Sequence, residues 1–280
     1  MKHLCLLLLV LLGFTSGCQN TASNANNAAV ESSNAESSAP DSSAADDPEN
    51  QDNRFYEMRV YYAAPGKLAD LHKRFRTNTT RVFEKHGMTN IGYWEPIDNP
   101  ENKIIYFLAY PSREARETSW KAFSADPEWQ AIAKASEANG RLVAKVDTWY
   151  LEATDYSPEI KPSAGPQDRI FELRTYTATP NNIENLHARF RDHTTALFEK
   201  HGMTNIAYWR PADTTDAKKD KLIYILAHPS VEAGKAAFEA FRADPDWVKA
   251  KAASEEKGGG SLTTNVESVY MKPTDYSTIK

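Results

Sequence analysis

Glu57, Arg59 and Tyr61 alternate along the extended stretch Phe55 to Tyr62, and Glu172, Arg174 and Tyr176 repeat the pattern further along the chain. Alternate side chains of a strand share one face, so each trio presents a carboxylate, a guanidinium and a phenol together. Out of water, such groups form a polar floor for a small anionic or carbonyl-bearing ligand. The same groups can instead neutralise one another and fix the packing of two sheets. The aromatic pairs Tyr93-Trp94 and Tyr208-Trp209 are also informative, because strand neighbours point to opposite faces. Trp94 and Trp209 are therefore candidates to wall a pocket next to the trios. Other chemistries are excluded. The only cysteines are Cys5 and Cys18, both before the trios, so the rest of the chain has no thiolate nucleophile, disulfide or cysteine metal ligand. No histidine spacing suits a metal, and no phosphate loop, dinucleotide fingerprint or serine-hydrolase elbow is present. No cofactor is expected.

The elements that must position these residues come as an internal repeat. Tyr56 to Pro96 aligns without a gap to Phe171 to Pro211, with 24 of 41 positions identical. The run Phe83-Glu84-Lys85-His86-Gly87-Met88-Thr89-Asn90-Ile91 returns as Phe198 to Ile206. The repeat closes at Thr154-Asp155-Tyr156-Ser157 and Thr274-Asp275-Tyr276-Ser277. The first copy spans residues 55–157 and the second 168–277. The joint at 158–167 is rich in proline and glycine, as a linker should be.

Each copy reads β-α-β-β-α-α-β. After the first strand, Leu68, Leu71, Phe75, Val82 and Phe83 form the apolar stripe of one helix. Gly87 ends that helix in the position of a left-handed cap. Two strands follow, then helices starting at Ser112 and at Asp126-Pro127-Glu128, where Asp126 suits the N-cap and Pro127 the first turn. Leu142 to Leu151 is the last strand. Gly258-Gly259-Gly260 reads as a flexible turn before the matching strand of the second copy. The pattern predicts an α+β fold: two tandem ferredoxin-like domains packed sheet to sheet as an intramolecular dimeric α+β barrel, with the helices outside. In that arrangement the Glu-Arg-Tyr face is expected to lie opposite the helices, inside the barrel.

Histidine is the remaining candidate acid or base. His72 and His187 fall at the edge of the first helix's apolar stripe, where a packed imidazole is expected. His86 and His201 precede the capping glycines and suit the free carbonyls of a helix end. His193 differs because its counterpart is Asn78, which cannot titrate near neutral pH. His193 is therefore the candidate catalytic residue, if it reaches a cavity.

The segments Leu71-His72-x-x-Phe75-Arg76, Phe83-Glu84-x-His86-Gly87-Met88 and Tyr93-Trp94-x-Pro96 resemble the NIPSNAP family. In the second copy, Phe190-Arg191-Asp192-His193-Thr194 also carries the family-like His-Thr pair. The resemblance covers residues 55–276. It implies the dimeric α+β barrel superfamily and little about chemistry.

The first 54 residues do not read as fold. Leu4 to Phe14 is an apolar run of signal-peptide length after Lys2, giving a signal peptide over 1–17. Thr15-Ser16-Gly17-Cys18 resembles a lipobox, with lipid expected on Cys18. Residues 18–54 are mostly Ser, Ala, Asn, Asp and Glu, a composition that cannot offset its chain entropy and reads as an acidic tether. The protein is therefore expected to be exported and lipid-anchored to the cell envelope. Gln19 after the cysteine favours the outer membrane where a cell has one. A net charge of −5 provides no basic footprint for nucleic acid. Two functions follow. One is a membrane-tethered binding or scaffold module for a small molecule or a protein partner. The other is a cofactor-independent enzyme, monooxygenase- or isomerase-like, acting on a small organic molecule in the barrel interior.

Overall fold

The computed structural model describes residues 52–163, 169–213, 215 and 218–280. The expected signal peptide, Cys18, most of the tether and the last four residues of the linker lie outside the described residues. Asp52, assigned to the tether by composition, contacts the fold: its carboxylate accepts from Arg54 at 2.7 Å and from the Tyr56 hydroxyl.

The first copy contains β1 (Phe55–Ala63), α1 (Leu68–Arg74), a π-helical turn (Phe75–Thr79), α2 (Thr80–Lys85), β2 (Thr89–Pro96), β3 (Lys103–Tyr110), α3 (Arg113–Ala125), α4 (Pro127–Ser136) and β4 (Val143–Ala153). The second has β5 (Ile170–Ala178), α5 (Ile183–Arg189), a π-helical turn (Phe190–Thr194), α6 (Thr195–Lys200), β6 (Thr204–Pro211), β7 (Lys221–His228), α7 (Val231–Ala243), α8 (Pro245–Lys257) and β8 (Thr263–Pro273). The caps form as the sequence implies. Ser112 and Ser230 accept from Ala115 and Ala233 N–H groups, and Asp126 and Asp244 accept from Glu128 and Asp246. Gly87 and Gly202 take φ of 75° and 76°, which a side chain would resist. His86 and His201 bond not to free carbonyls but to those N-cap carboxylates, each at 2.7 Å. The helix expected to run unbroken through Phe75 carries instead a π turn, in which Thr79 and Thr194 hydroxyls donate to the carbonyls of Arg74 and Arg189.

All eight strands close into one barrel in the order β1-β3-β2-β8-β5-β7-β6-β4. Its interior is a packed core contributed by both copies, including Tyr56, Met58, Trp94, Phe107, Phe171, Leu173 and Trp209. The Trp94 ring lies so close to Gly92 that a Cβ there would come within 2.2 Å of it. The matching Trp209 stands beside Ala207 and stacks on Phe107 at 4.7 Å.

This corrects the expected facing of the polar trios. Tyr56, Met58 and Val60 point into the barrel, whereas Glu57, Arg59 and Tyr61 lie on the helix side. Glu57 is held there by α3, and Tyr61 packs on Phe75. Glu172, Arg174 and Tyr176 follow the same rule. Both faces of β1 and β5 are buried over much of their length, so alternation separates the two sets without telling which meets the other sheet. Exclusion of water from between two sheets favours the set without charge.

The closing motifs of the repeat cross over. The end of β4 pairs with β6, and the end of β8 pairs with β2. Beyond β4, Tyr156 bonds His187 of the second copy at 2.7 Å, Asp155 pairs with Arg191, and Ser157 accepts from the Tyr208 N–H. Beyond β8, Tyr276 bonds His72 of the first copy at 2.8 Å, Asp275 pairs with Arg76, and Ser277 accepts from the Tyr93 N–H. Each copy is completed by the tail of the other.

Candidate functional site

Two buried carboxylates anchor the helix side of the barrel. Glu57 accepts from Arg59 at 2.6 Å, from Arg116 at 2.9 and 3.0 Å, from the Trp120 indole at 2.8 Å and from the Tyr110 hydroxyl at 3.0 Å. Burial alone would raise its pKa. The Arg116 hydrogen bond and the two guanidinium charges outweigh burial and hold it below the ordinary value. Glu172 has a different set: Arg174 at 2.5 Å, Ser268 at 2.5 Å and His228 at 3.0 Å. Burial opposes ionisation here too, and the His228 bond and the Arg174 charge again prevail. The exchange has a local cause. Gly234 stands where α3 has Arg116, and a Cβ at Gly234 would meet the His228 ring at 3.0 Å.

Above Glu172 the second copy opens. A cleft of about 500 Å³ lies between the outer face of β5 and helices α7 and α8. Phe238, Phe241 and Trp247 form its aromatic walls; Arg174, Arg242 and Lys251 line it, with Glu255 the acidic member. Arg174 stacks over Phe238 at 4.3 Å and donates to the Tyr176 hydroxyl at 3.2 Å. A hollow of about 190 Å³ shares Tyr176, Phe241, Trp247, Lys251 and Glu255 and continues to Arg189, Phe190 and Phe198. The positions matching Arg242, Lys251 and Val248 in the first copy are Ser124, Ala133 and Gln130.

Two groups of this region are poorly paired. The Tyr224 hydroxyl is fully buried beside Arg174 and Tyr176 but makes no hydrogen bond of good geometry, and burial pushes its pKa well above the ordinary value. Arg189 is 6% exposed, reaches the Ser254 hydroxyl only at 3.5 Å, and leaves Nε without an acceptor. Burial draws its pKa below the ordinary value, against the opposing charge of Glu255. Its counterpart Arg74 has an ion pair with Glu137 at 3.2 Å.

The barrel has an open mouth of about 360 Å³ at the end where β1 and β5 finish. Met58, Val60 and Trp149 of the first copy face Leu173, Thr175 and Val269 of the second across it. The other end is plugged by Ile160 and Ile279.

The NIPSNAP family model matches residues 56–158 and 171–278. The chain belongs to the NIPSNAP family. Protein NipSnap homolog 3B of Mus musculus is 26% identical over 134 residues, which are 48% of this chain and 51% of that protein. Protein NipSnap homolog 3A of Homo sapiens is 28% identical over 134 residues, with the same shares of 48% and 51%. The chain thus spans about half the length of the curated relatives it matches. An anthrone oxidase-like protein of known structure superposes with a TM-score of 0.53 over 82% of this chain and 95% of that one, at 13% identity, and so shares the fold.

The structure of this NIPSNAP protein sorts the sequence candidates. Arg174 and Tyr176 line a cleft, with Glu172 beneath them. Arg59 and Tyr61 instead pack under Trp120 and against Phe75. Trp94 and Trp209 point inward as expected, but they are packed core rather than pocket wall. His193 does not reach the barrel. It is exposed on the outer surface, in a hollow of about 180 Å³ between α5 and α8 that it shares with Arg189. His72 and His187 are packed as expected, each bonded to a tyrosine of the opposite copy's tail, and His72 also faces Glu95 at 3.1 Å. Arg189, Lys251, Tyr224 and His228 were not singled out from sequence. Arg189 was accessible to such reasoning, because it lies three residues after Leu186 and so beside the buried stripe.

Proposed function

We propose that this NIPSNAP protein is a binding module held at a membrane by a lipid on Cys18, with its ligand site in the helix-side cleft of the second copy. The observation that carries the reading is the combination of aromatic walls with several cations and few acids in one concave site. The barrel interior is a packed core, with a smaller space of about 360 Å³ at its mouth. Attachment through Cys18 leaves the acidic tether to set the distance between membrane and barrel. The test uses the full chain. Small organic molecules that raise its Tm should lose that effect in Trp247→Ala, and Cys18→Ser should move the protein from the membrane to the soluble fraction. Ligand stabilisation unaffected by Trp247→Ala overturns the site, and unchanged membrane association overturns the anchor.

A second reading has one observation in its favour. The Tyr224 hydroxyl, like Tyr106 in the first copy, makes no hydrogen bond of good geometry, and in the second copy it lies behind Arg174 and Tyr176 of the cleft wall, within reach of a carbonyl that displaces them. Together with the fold shared with an anthrone oxidase-like protein, this supports a cofactor-independent enzyme working in the cleft rather than in the barrel interior. Chemical conversion of a bound compound, lost in Tyr224→Phe with binding retained, would favour it over the module.

A further inference from the structure

The hollow around Arg189 identifies the chemistry of the ligand. In the first copy, Arg74 is 8% exposed and its guanidinium is answered by Glu137 at 3.2 Å. In the second, Glu255 occupies the matching position, yet among the described residues no carboxylate lies within ion-pair distance of Arg189. The difference accompanies one residue. Ala133 of α4 is matched by Lys251 of α8, one turn before Glu255, and Lys251 Nζ lies 3.9 Å from the Glu255 carboxylate. Arg189 is left charged, buried, stacked over Trp247 at 5.1 Å, and with one long hydrogen bond for its five donors. A buried charge of this kind is costly until a counter-charge arrives.

We propose that the hollow takes a small organic carboxylate, whose head fills the place beside Arg189 that Glu137 fills beside Arg74. The inference rests on the cleft being the ligand site. Lys251, at the rim, supplies a second cation to the same head. Phe190, Phe198, Phe241 and Trp247 receive the apolar body. The planar guanidinium fork matches a carboxylate in two parallel hydrogen bonds, which sets the class apart from neutral amides and alcohols.

Calorimetric titration of the full chain with phenylacetate and with phenylacetamide tests this. The two probes share ring and length and differ in charge. Phenylacetate should bind about tenfold or more tighter, the difference expected of a charge-assisted over a neutral pair. Arg189→Met should abolish the difference. Lys251→Ala lies at an exposed position, so it tests the proposal even if Arg189→Met does not fold. It makes α8 imitate α4, frees Glu255 for Arg189, and should weaken phenylacetate about tenfold or more while sparing phenylacetamide. Equal binding of both probes, lost in Trp247→Ala, overturns the carboxylate and leaves the cleft standing. Phenylacetate binding untouched by both charge variants places the anion elsewhere and overturns the proposal. Binding of neither probe overturns it as well, and the cleft reading then stands or falls on the wider ligand screen.

Discussion

The two copies share a backbone plan but arrange charge on their helix sides differently. In the first, each of these buried guanidiniums has a carboxylate: Glu57 holds Arg59 and Arg116, Trp120 covers Arg59, and Arg74 has Glu137. The second replaces Arg116 with Gly234, Trp120 with Phe238 and Ala133 with Lys251. It thereby gains a cleft and a buried arginine without a carboxylate. Duplication leaves both halves bound to one barrel, so one can keep the scaffold stable while the other carries a cavity. The first copy serves as an internal control for what the second has opened.

The largest effect should come from the carboxylates. Glu57→Gln leaves the half-buried Arg59 and Arg116 without their shared counter-charge and should cost about 3 kcal/mol in urea unfolding. Glu172→Gln strands a single guanidinium, that of Arg174, and should cost less. Equal losses would break the proposed division between a self-neutralised half and an open one.

A smaller effect belongs to the core. Gly92→Ala places a methyl against the Trp94 ring and should cost about 1–3 kcal/mol by overpacking. Alanine is already native at the matching Ala207, so Ala207→Gly should cost no more than about 1 kcal/mol. If Gly92→Ala is neutral, the two tryptophans have interchangeable environments.

The smallest is a pH effect shared by both halves. Burial lowers the pKa of His72 and His187 below the ordinary value of 6.5. The folded chain therefore takes up those protons later than the unfolded chain. Their contribution to stability is full above about pH 6.5 and declines as pH falls through the range between the unfolded and folded values. His187→Gln should flatten that part of the stability curve. An unchanged slope would show that His187 titrates normally, outside the contacts with Tyr156.

The repeat, the strand order within a copy, the N-caps at Ser112 and Asp126 and the caps at Gly87 and Gly202 were all legible, because each rests on local patterns of sidedness or backbone freedom. The closed barrel followed from two sheets needing cover. The facing of Glu57 and Glu172 was not legible, since a strand buried on both faces gives alternation without direction. Candidate residues on that face were found, but their partners were not. Arg116, Trp120 and His228 lie 56 to 63 residues away in sequence, and nothing local connects them to a particular carboxylate. The bare state of Arg189 depends on a side chain of α8, and it shows only when the two copies are compared in space.

The crossed tails also order events in time. Tyr156 can find His187 only after the second copy's helix exists, and His72 must await Tyr276. At about 5–20 residues per second, the 120 residues between those tyrosines take roughly 6–24 seconds to synthesise. Throughout that interval the first copy lacks β8 beside β2 and the ring that stacks on Phe75. The first copy therefore stays incompletely folded until the tail of the second has been made, and a chain cut before β8 would leave the barrel open between β2 and β5.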